Sequence, residues 1–104
     1  MADINTVILT GRLVYTPELK KTQSGKSVLT AKLACQRTKE ITDFISVIAW
    51  ERQAEFLANY AKKGDKVSAE GKLQTRKDGE RTVLEIVADE VQILQKAANN
   101  GGNG

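Results

Sequence analysis

At 104 residues the chain has room for one domain with its own core and not for two. Sixteen lysines and arginines against 13 acids leave a formal charge of +3, a mild excess that favours a polyanionic partner without requiring one. There is no histidine, and the single cysteine, Cys35, can form neither an internal disulfide nor a zinc site. Hydrolytic and metal-dependent chemistry therefore have little material to work with, and no catalytic group, metal or cofactor is expected.

The charge is unevenly spread, since residues 1–39 hold seven basic side chains and only two acids, Asp3 and Glu18. Neither a signal peptide nor an apolar span of about 18 residues is evident, so the expectation is a soluble, cytoplasmic protein with no membrane partner.

In chain order, residues 4–15 alternate Val7, Leu9, Gly11 and Leu13 against Ile8, Thr10, Arg12 and Val14, which predicts a long first strand. Gly11 stands where a bend would let that strand serve two sides of a barrel. Residues 16–26, with Pro17 and Ser24-Gly25, read as a basic loop. Ser27 to Gln36 follow as the second strand, with Leu29, Ala31, Leu33 and Cys35 on one face; Cys35 is read as a small core residue. Residues 37–41 are a short polar connection.

Residues 42–50, Thr-Asp-Phe-Ile-Ser-Val-Ile-Ala-Trp, predict a third strand dressed on both sides. Side chains of a strand alternate between faces, so Ile45, Val47 and Ala49 share one while Phe44, Ser46, Ile48 and Trp50 share the other. The first set is a sufficient core stripe. The second then carries two rings about 20 Å apart, at about 3.3 Å per residue, on a face that the core does not need. Two such rings form a platform for flat ligands. Isolated aromatics in small β-domains are more often core, and the complete stripe opposite these two is one of two grounds for placing them outside, the other being the family likeness below. Tyr15 carries no assignment.

From Glu51 the period becomes 3.6, with Ala54, Leu57, Ala58 and Ala61 on one helical face. Lys62 and Lys63 are placed at its C-terminal end with Gly64 as a left-handed cap. Phe56 and Tyr60 are assigned to helix packing or a subunit contact. Val67 to Arg76 alternate as a fourth strand, residues 77–80 form a hairpin turn around Asp78-Gly79, and residues 81–94 form a fifth strand with an irregularity near Asp89. The carboxylate pairs Asp78/Glu80 and Asp89/Glu90 read as solvated surface and not as catalytic dyads. Residues 1–95 are thus one domain, and residues 96–104, Lys-Ala-Ala-Asn-Asn-Gly-Gly-Asn-Gly, are expected to be a disordered tail.

Three strands, a helix and two more strands match an all-β, five-stranded Greek-key barrel of the OB type, with its helix between strands three and four. The residues themselves resemble the bacterial and phage single-stranded DNA-binding proteins, in Asn5-Thr-Val-Ile-Leu-Thr-Gly-Arg-Leu13, Pro17-Glu-Leu19, Gly25-Lys-Ser-Val28 and the whole of residues 42–50. The likeness continues through residues 54–64, Glu70-Gly-Lys-Leu-Gln-Thr-Arg76 and residues 87–94, which together cover nearly all of residues 4–94 in the family's order.

The resemblance implies an OB domain that binds single-stranded DNA with little sequence preference, as a homotetramer with a dimer as the runner-up, in replication, recombination and repair. It places base-stacking aromatics at Phe44 and Trp50, the rings the alternation sets apart, and basic contacts at Arg12, Lys32, Arg76 and Lys77. Lys72, which shares a face with Arg76, and Arg37 and Lys39 in the loop after strand two complete the set of phosphate-tracking candidates. Family members often carry further rings near the positions of Lys39 and Asp78, where this chain has none and both loops look shortened; that implies a smaller site. Residues 95–104 also lack the acidic and hydrophobic tip with which the family recruits replication and repair enzymes. Two other readings stay open: a primosome-type OB module that docks replication proteins, and an RNA-binding OB domain.

Overall fold

Residues 2–98 are described in the computed structural model. They form β1 (Val7–Leu13), β2 (Lys20–Lys21), β3 (Ser27–Gln36), β4 (Thr42–Trp50), α1 (Glu51–Tyr60), β5 (Lys66–Asp78) and β6 (Arg81–Gln95). The sheet runs β1-β5-β6-β4-β3-β2, and β1 also pairs with β3, so the five long strands close on themselves in the expected Greek-key order. β2 is a two-residue addition on the edge of β3, within the segment read as a loop.

Closure happens at the point that Gly11 marks. Val7 to Arg12 pair with β5, while Arg12 and Leu13 pair with Ala34 and Leu33 of β3. A Cβ on Gly11 would sit 2.8 Å from both Ala34 O and Cys35 Sγ, so a side chain there would push β1 off the strand it closes against. β1 is shorter than residues 4–15 because a side chain replaces its first ladder bonds. Asn5 Nδ2 donates to Leu73 O at 2.8 Å and Asn5 Oδ1 accepts from Leu73 N at 2.9 Å, which ties the N-terminal extension to β5 without strand pairing.

The interior follows the alternation. Leu29, Ala31, Leu33 and Cys35 of β3, Val47 and Ala49 of β4, Val67 and Ala69 of β5, and Ile86, Ala88 and Val91 of β6 are buried together with Ala54 and Leu57 of α1. Burial pushes the Cys35 thiol above its ordinary pKa, and the nearby Asp43 charge adds to the effect, so Cys35 is a core residue. The irregularity expected near Asp89 is a bulge: Glu70 pairs with Glu90 but Gly71 with Ala88, which leaves Asp89 unpaired. It moves the inward set of β6 from Ile86 and Ala88 to Val91 and Ile93.

The end of α1 departs from the expected cap. Ala61 is already extended, and Lys62 and Lys63 lie past the last helical turn. Gly64, at φ 89°, belongs to a tight turn in which Asp65 N donates to Lys62 O, while Asp65 Oδ2 accepts the Lys62 N–H at 2.9 Å. A carboxylate on the following loop therefore ends the helix, in place of a glycine cap. At the far end of the chain, Ala97 N donates to Asp65 Oδ1 and Lys96 Nζ to Asp65 Oδ2, so the ordered body reaches past Gln95. The remainder of the expected tail, residues 99–104, lies outside the described residues.

Candidate nucleic-acid interface

β4 puts its two rings outside. Phe44 is 60% exposed and Trp50 39%, at opposite ends of the strand, while Val47 and Ala49 between them on the other face are buried. Ser46 and Ile48 lie between the rings, half-buried. The floor widens through the neighbouring strands, because Trp50 pairs with Val28, Ile48 with Thr30 on one side and Val87 on the other, and Phe44 with Ala34. The result is an apolar strip bounded by one ring at each end.

The basic residues divide into groups. Arg12 pairs with Ala34, which places it in one row with Phe44 across three strands. Its guanidinium donates to Gly64 O at 2.9 Å and to Gln95 Oε1 at 2.8 Å, neutral partners that fix its position and leave its charge uncompensated. Lys32 is opposite Ser46 in the middle of the strip and half-buried. Lys72 is opposite Val87, on the same outer face.

Two candidates already have anionic partners. Arg37 makes a bidentate pair with Asp43, Nε to Oδ2 at 3.0 Å and Nη2 to Oδ1 at 2.8 Å, and the guanidinium holds the Asp43 carboxyl below its ordinary pKa. Arg76 Nε donates to Glu85 Oε1 at 2.7 Å, and Glu85 is buried although it points to the outer face. Lys39, at the tip of the β3–β4 connection, has no acidic partner among the described residues. Lys77 follows Leu73 and Thr75 by the period of two, so it occupies the face of β5 opposite to Lys72 and Arg76, in the hairpin that projects beyond the core. The structure thus brings Arg12, Lys32, Lys72 and Arg76 onto the face of the two rings and leaves Lys77 behind it.

One cation of this face escaped the sequence analysis. Lys66 pairs with Arg12 and lines a groove with it, Ala34 and Thr42 beside the Phe44 end. The same alternation that marks Lys72 would have marked it, had β5 been started one residue earlier.

The profile of the Single-strand binding protein family matches residues 4–94. Single-stranded DNA-binding protein A of Bacillus subtilis is 42% identical over 112 aligned residues, which span 97% of this chain and 64% of that protein. Single-stranded DNA-binding protein 2 of Staphylococcus aureus is also 42% identical, over 93% of this chain and 78% of its own length. Among solved structures, the wild-type single-stranded DNA binding protein from Thermus aquaticus superimposes with a TM-score of 0.78 at 29% identity, over 95% of this chain and 44% of that one. The chain therefore spans a little under two thirds of the Bacillus protein and under half of the Thermus protein. Closed five-strand ring, outward rings and matched sequence agree, and the chain belongs to the single-strand binding protein family.

Proposed function

We propose that this protein binds single-stranded DNA with little sequence preference and protects it during replication, recombination and repair, without catalysing a reaction. The observation that carries the reading is the pair of outward rings on β4, Phe44 and Trp50, at the two ends of an apolar strip flanked by Arg12, Lys32, Lys72 and Arg76. Unpaired bases expose flat faces and one phosphate charge per nucleotide, so rings and cations suffice where no base edge needs to be read. Phe44 and Trp50 stack bases. The cations follow the backbone, Lys39 from the loop beside β4 and Arg37 in so far as it leaves Asp43.

Homo-oligomerisation, as a tetramer, is part of the proposal. Ile4, Ile8, Leu73 and Leu84 are large apolar side chains exposed on β1, its N-terminal extension and the β5–β6 hairpin, away from the ring strip. No helix among the described residues is long and apolar enough to cross a membrane, and a cytoplasmic site of action is proposed with the DNA partner.

The test is a titration of Trp50 fluorescence with oligo-dT. Strong quenching that weakens steeply with salt is expected. A second reading, a module that docks replication proteins, draws on the apolar groove between Phe56, Tyr60, Ile93 and Leu94; it requires that oligo-dT leave the signal unchanged.

A further inference from the structure

The outer face continues past Trp50. On the edge of β3 away from β4, Ala34 and Leu33 pair with β1, Val14 N donates to Lys32 O, and Val28 and Ser27 pair with β2. Residues 29–31 have no strand partner on that edge. The interruption is a groove, bordered by Tyr15 and Thr16 as the chain leaves β1, by Glu18 and Lys20 as it approaches β2, and by Val28 and Thr30 on β3.

Three features make the groove a continuation of the ring strip. Val28 is the register partner of both Lys20 and Trp50, and Thr30 is the partner of Ile48, so the groove starts one strand away from the indole, about 5 Å in the pairing direction. Tyr15 is 42% exposed, as open as Trp50, and its phenol is amphipathic: a flat apolar ring with a polar tip. Lys20, the register partner of Val28, brings a cation to the same wall, where Glu18 is the one acid, while Lys21 turns to the other face and donates to Ser27 Oγ.

We propose that Tyr15 and Lys20 form a further single-stranded DNA subsite, in which the Tyr15 ring stacks one base beyond Trp50 and the Lys20 ammonium contacts the adjoining phosphate. The occupant is a nucleic acid strand because the groove adjoins the strip already assigned to one and repeats its composition, a ring beside a cation, with the Thr16 and Thr30 hydroxyls for bridging contacts. The subsite rests on the DNA-binding reading above. It enlarges a site in which the Lys39 and Asp78 positions hold no ring, by turning the strand's path across β3.

Trp50 is the only tryptophan, so the two positions can be read separately. In a Trp50→Phe, Tyr15→Trp double variant the sole indole reports on the groove, and long oligo-dT is expected to quench it. Tyr15→Ala should weaken binding of long oligo-dT roughly five- to hundredfold, as expected for one stacked base, and leave binding of oligonucleotides only long enough for the β4 strip unchanged. Tyr15→Phe, which keeps the ring, should bind like the parent. Lys20→Ala should lower the slope of log affinity against log salt by about 0.7. Quenching of Trp50 in the parent without quenching of the introduced indole would overturn the subsite and leave the β4 strip intact. Silence of both indoles would overturn the DNA-binding reading, and the subsite with it.

Discussion

The backbone N–H of Ser27 donates to Glu51 Oε1 at 3.1 Å, and Glu51 holds a left-handed φ of 52°, the only non-glycine to do so among the described residues. The Ser27 hydroxyl also donates to Glu55 Oε2 at 2.8 Å, and Ser27 is fully buried. The first residue of β3 therefore pins the first turn of α1, at the corner that follows Trp50. A left-handed L-residue costs about 1–2 kcal/mol, so the corner persists because Ser27 holds it.

Glu51→Ala should lose the acceptor and keep the strain, for a loss of about 1–3 kcal/mol from the stranded Ser27 amide. Glu51→Gly loses the same acceptor but relieves the backbone, and should recover about 1 kcal/mol of that. The expected order in urea unfolding is Glu, then Gly, then Ala, the reverse of the alanine-over-glycine ranking of ordinary helix positions. If Ala proved as stable as Gly, the left-handed corner would not be what the fold requires there.

Phe44→Ala and Trp50→Ala should each reduce oligo-dT affinity by about 1–3 kcal/mol. Because both rings stand outside the core stripe, the stability lost should be smaller, about 1 kcal/mol or less for Phe44, which is the more exposed. Denaturant unfolding beside binding isotherms separates the two effects. A Phe44→Ala variant that unfolds readily but binds normally would place that ring in the core.

Arg76 is not a simple phosphate contact, because its nearest partner is the buried carboxylate of Glu85 at 2.7 Å. Arg76→Ala removes a cation and also unmasks an anion on the binding face. Its affinity loss should exceed that of Lys32→Ala, whose ammonium has no acidic partner among the described residues. An Arg76→Ala, Glu85→Gln double variant should recover part of it, since the repulsive charge goes with its partner. Binding isotherms at several salt concentrations measure all three. Equal losses in the single and double variants would show that Glu85 does not act on the DNA.

The sequence made the ring strip legible and left the ion pairs obscure, for a physical reason. Residues 27–36 and 42–50 alternate without interruption, and those two strands occur with the predicted bounds and faces. Phe44 and Trp50 needed only that period. The Arg76–Glu85 pair needs the hairpin register, which depends on a two-residue loop at Gly79-Glu80, between the paired Asp78 and Arg81. The sequence signal at Asp78-Gly79 locates that turn one residue too early. The family resemblance places Lys77 beside Arg76 among the basic contacts, whereas adjacent residues of a strand point to opposite faces. Asn5 and Asp65 act through side chains on distant backbone, at Leu73 and Ala97, and no local pattern reports such bonds.

Gly71 lies where β5 crosses the bulge at Asp89, and a Cβ there would come within 1.9 Å of Val87 O. That oxygen belongs to the backbone of the paired strand, so it cannot swing aside as a side-chain tip would. Gly71→Ala should cost about 3 kcal/mol or more, by forcing β5 and β6 apart at the bulge. Thermal unfolding tests this directly. A loss under about 1 kcal/mol would mean that the bulge relaxes more easily than its pairing implies.

Asp65 has the most demanding chemistry in the domain. It is buried, which by itself raises the pKa of a carboxyl, yet Lys96 Nζ at 2.6 Å, Ala97 N at 2.7 Å and Lys62 N at 2.9 Å outweigh burial and hold it below its ordinary value of 3.8. A folded-state pKa below the unfolded one stabilises the native state at pH values above about 3.8, and that contribution disappears as pH falls through the lower folded value. Asp65→Asn turns one acceptor oxygen into a donor facing donors, and should cost about 1.5–3 kcal/mol at pH 7. The cost stays at the scale of charged hydrogen bonds because Lys96 is more than half exposed, so water screens its charge. Urea midpoints of the parent and of Asp65→Asn should therefore converge as pH is lowered from 4 toward 2.5, with the parent losing stability faster. A gap between them that stayed constant across that range would show that the ionised carboxylate is not what binds the end of α1 to the end of β6.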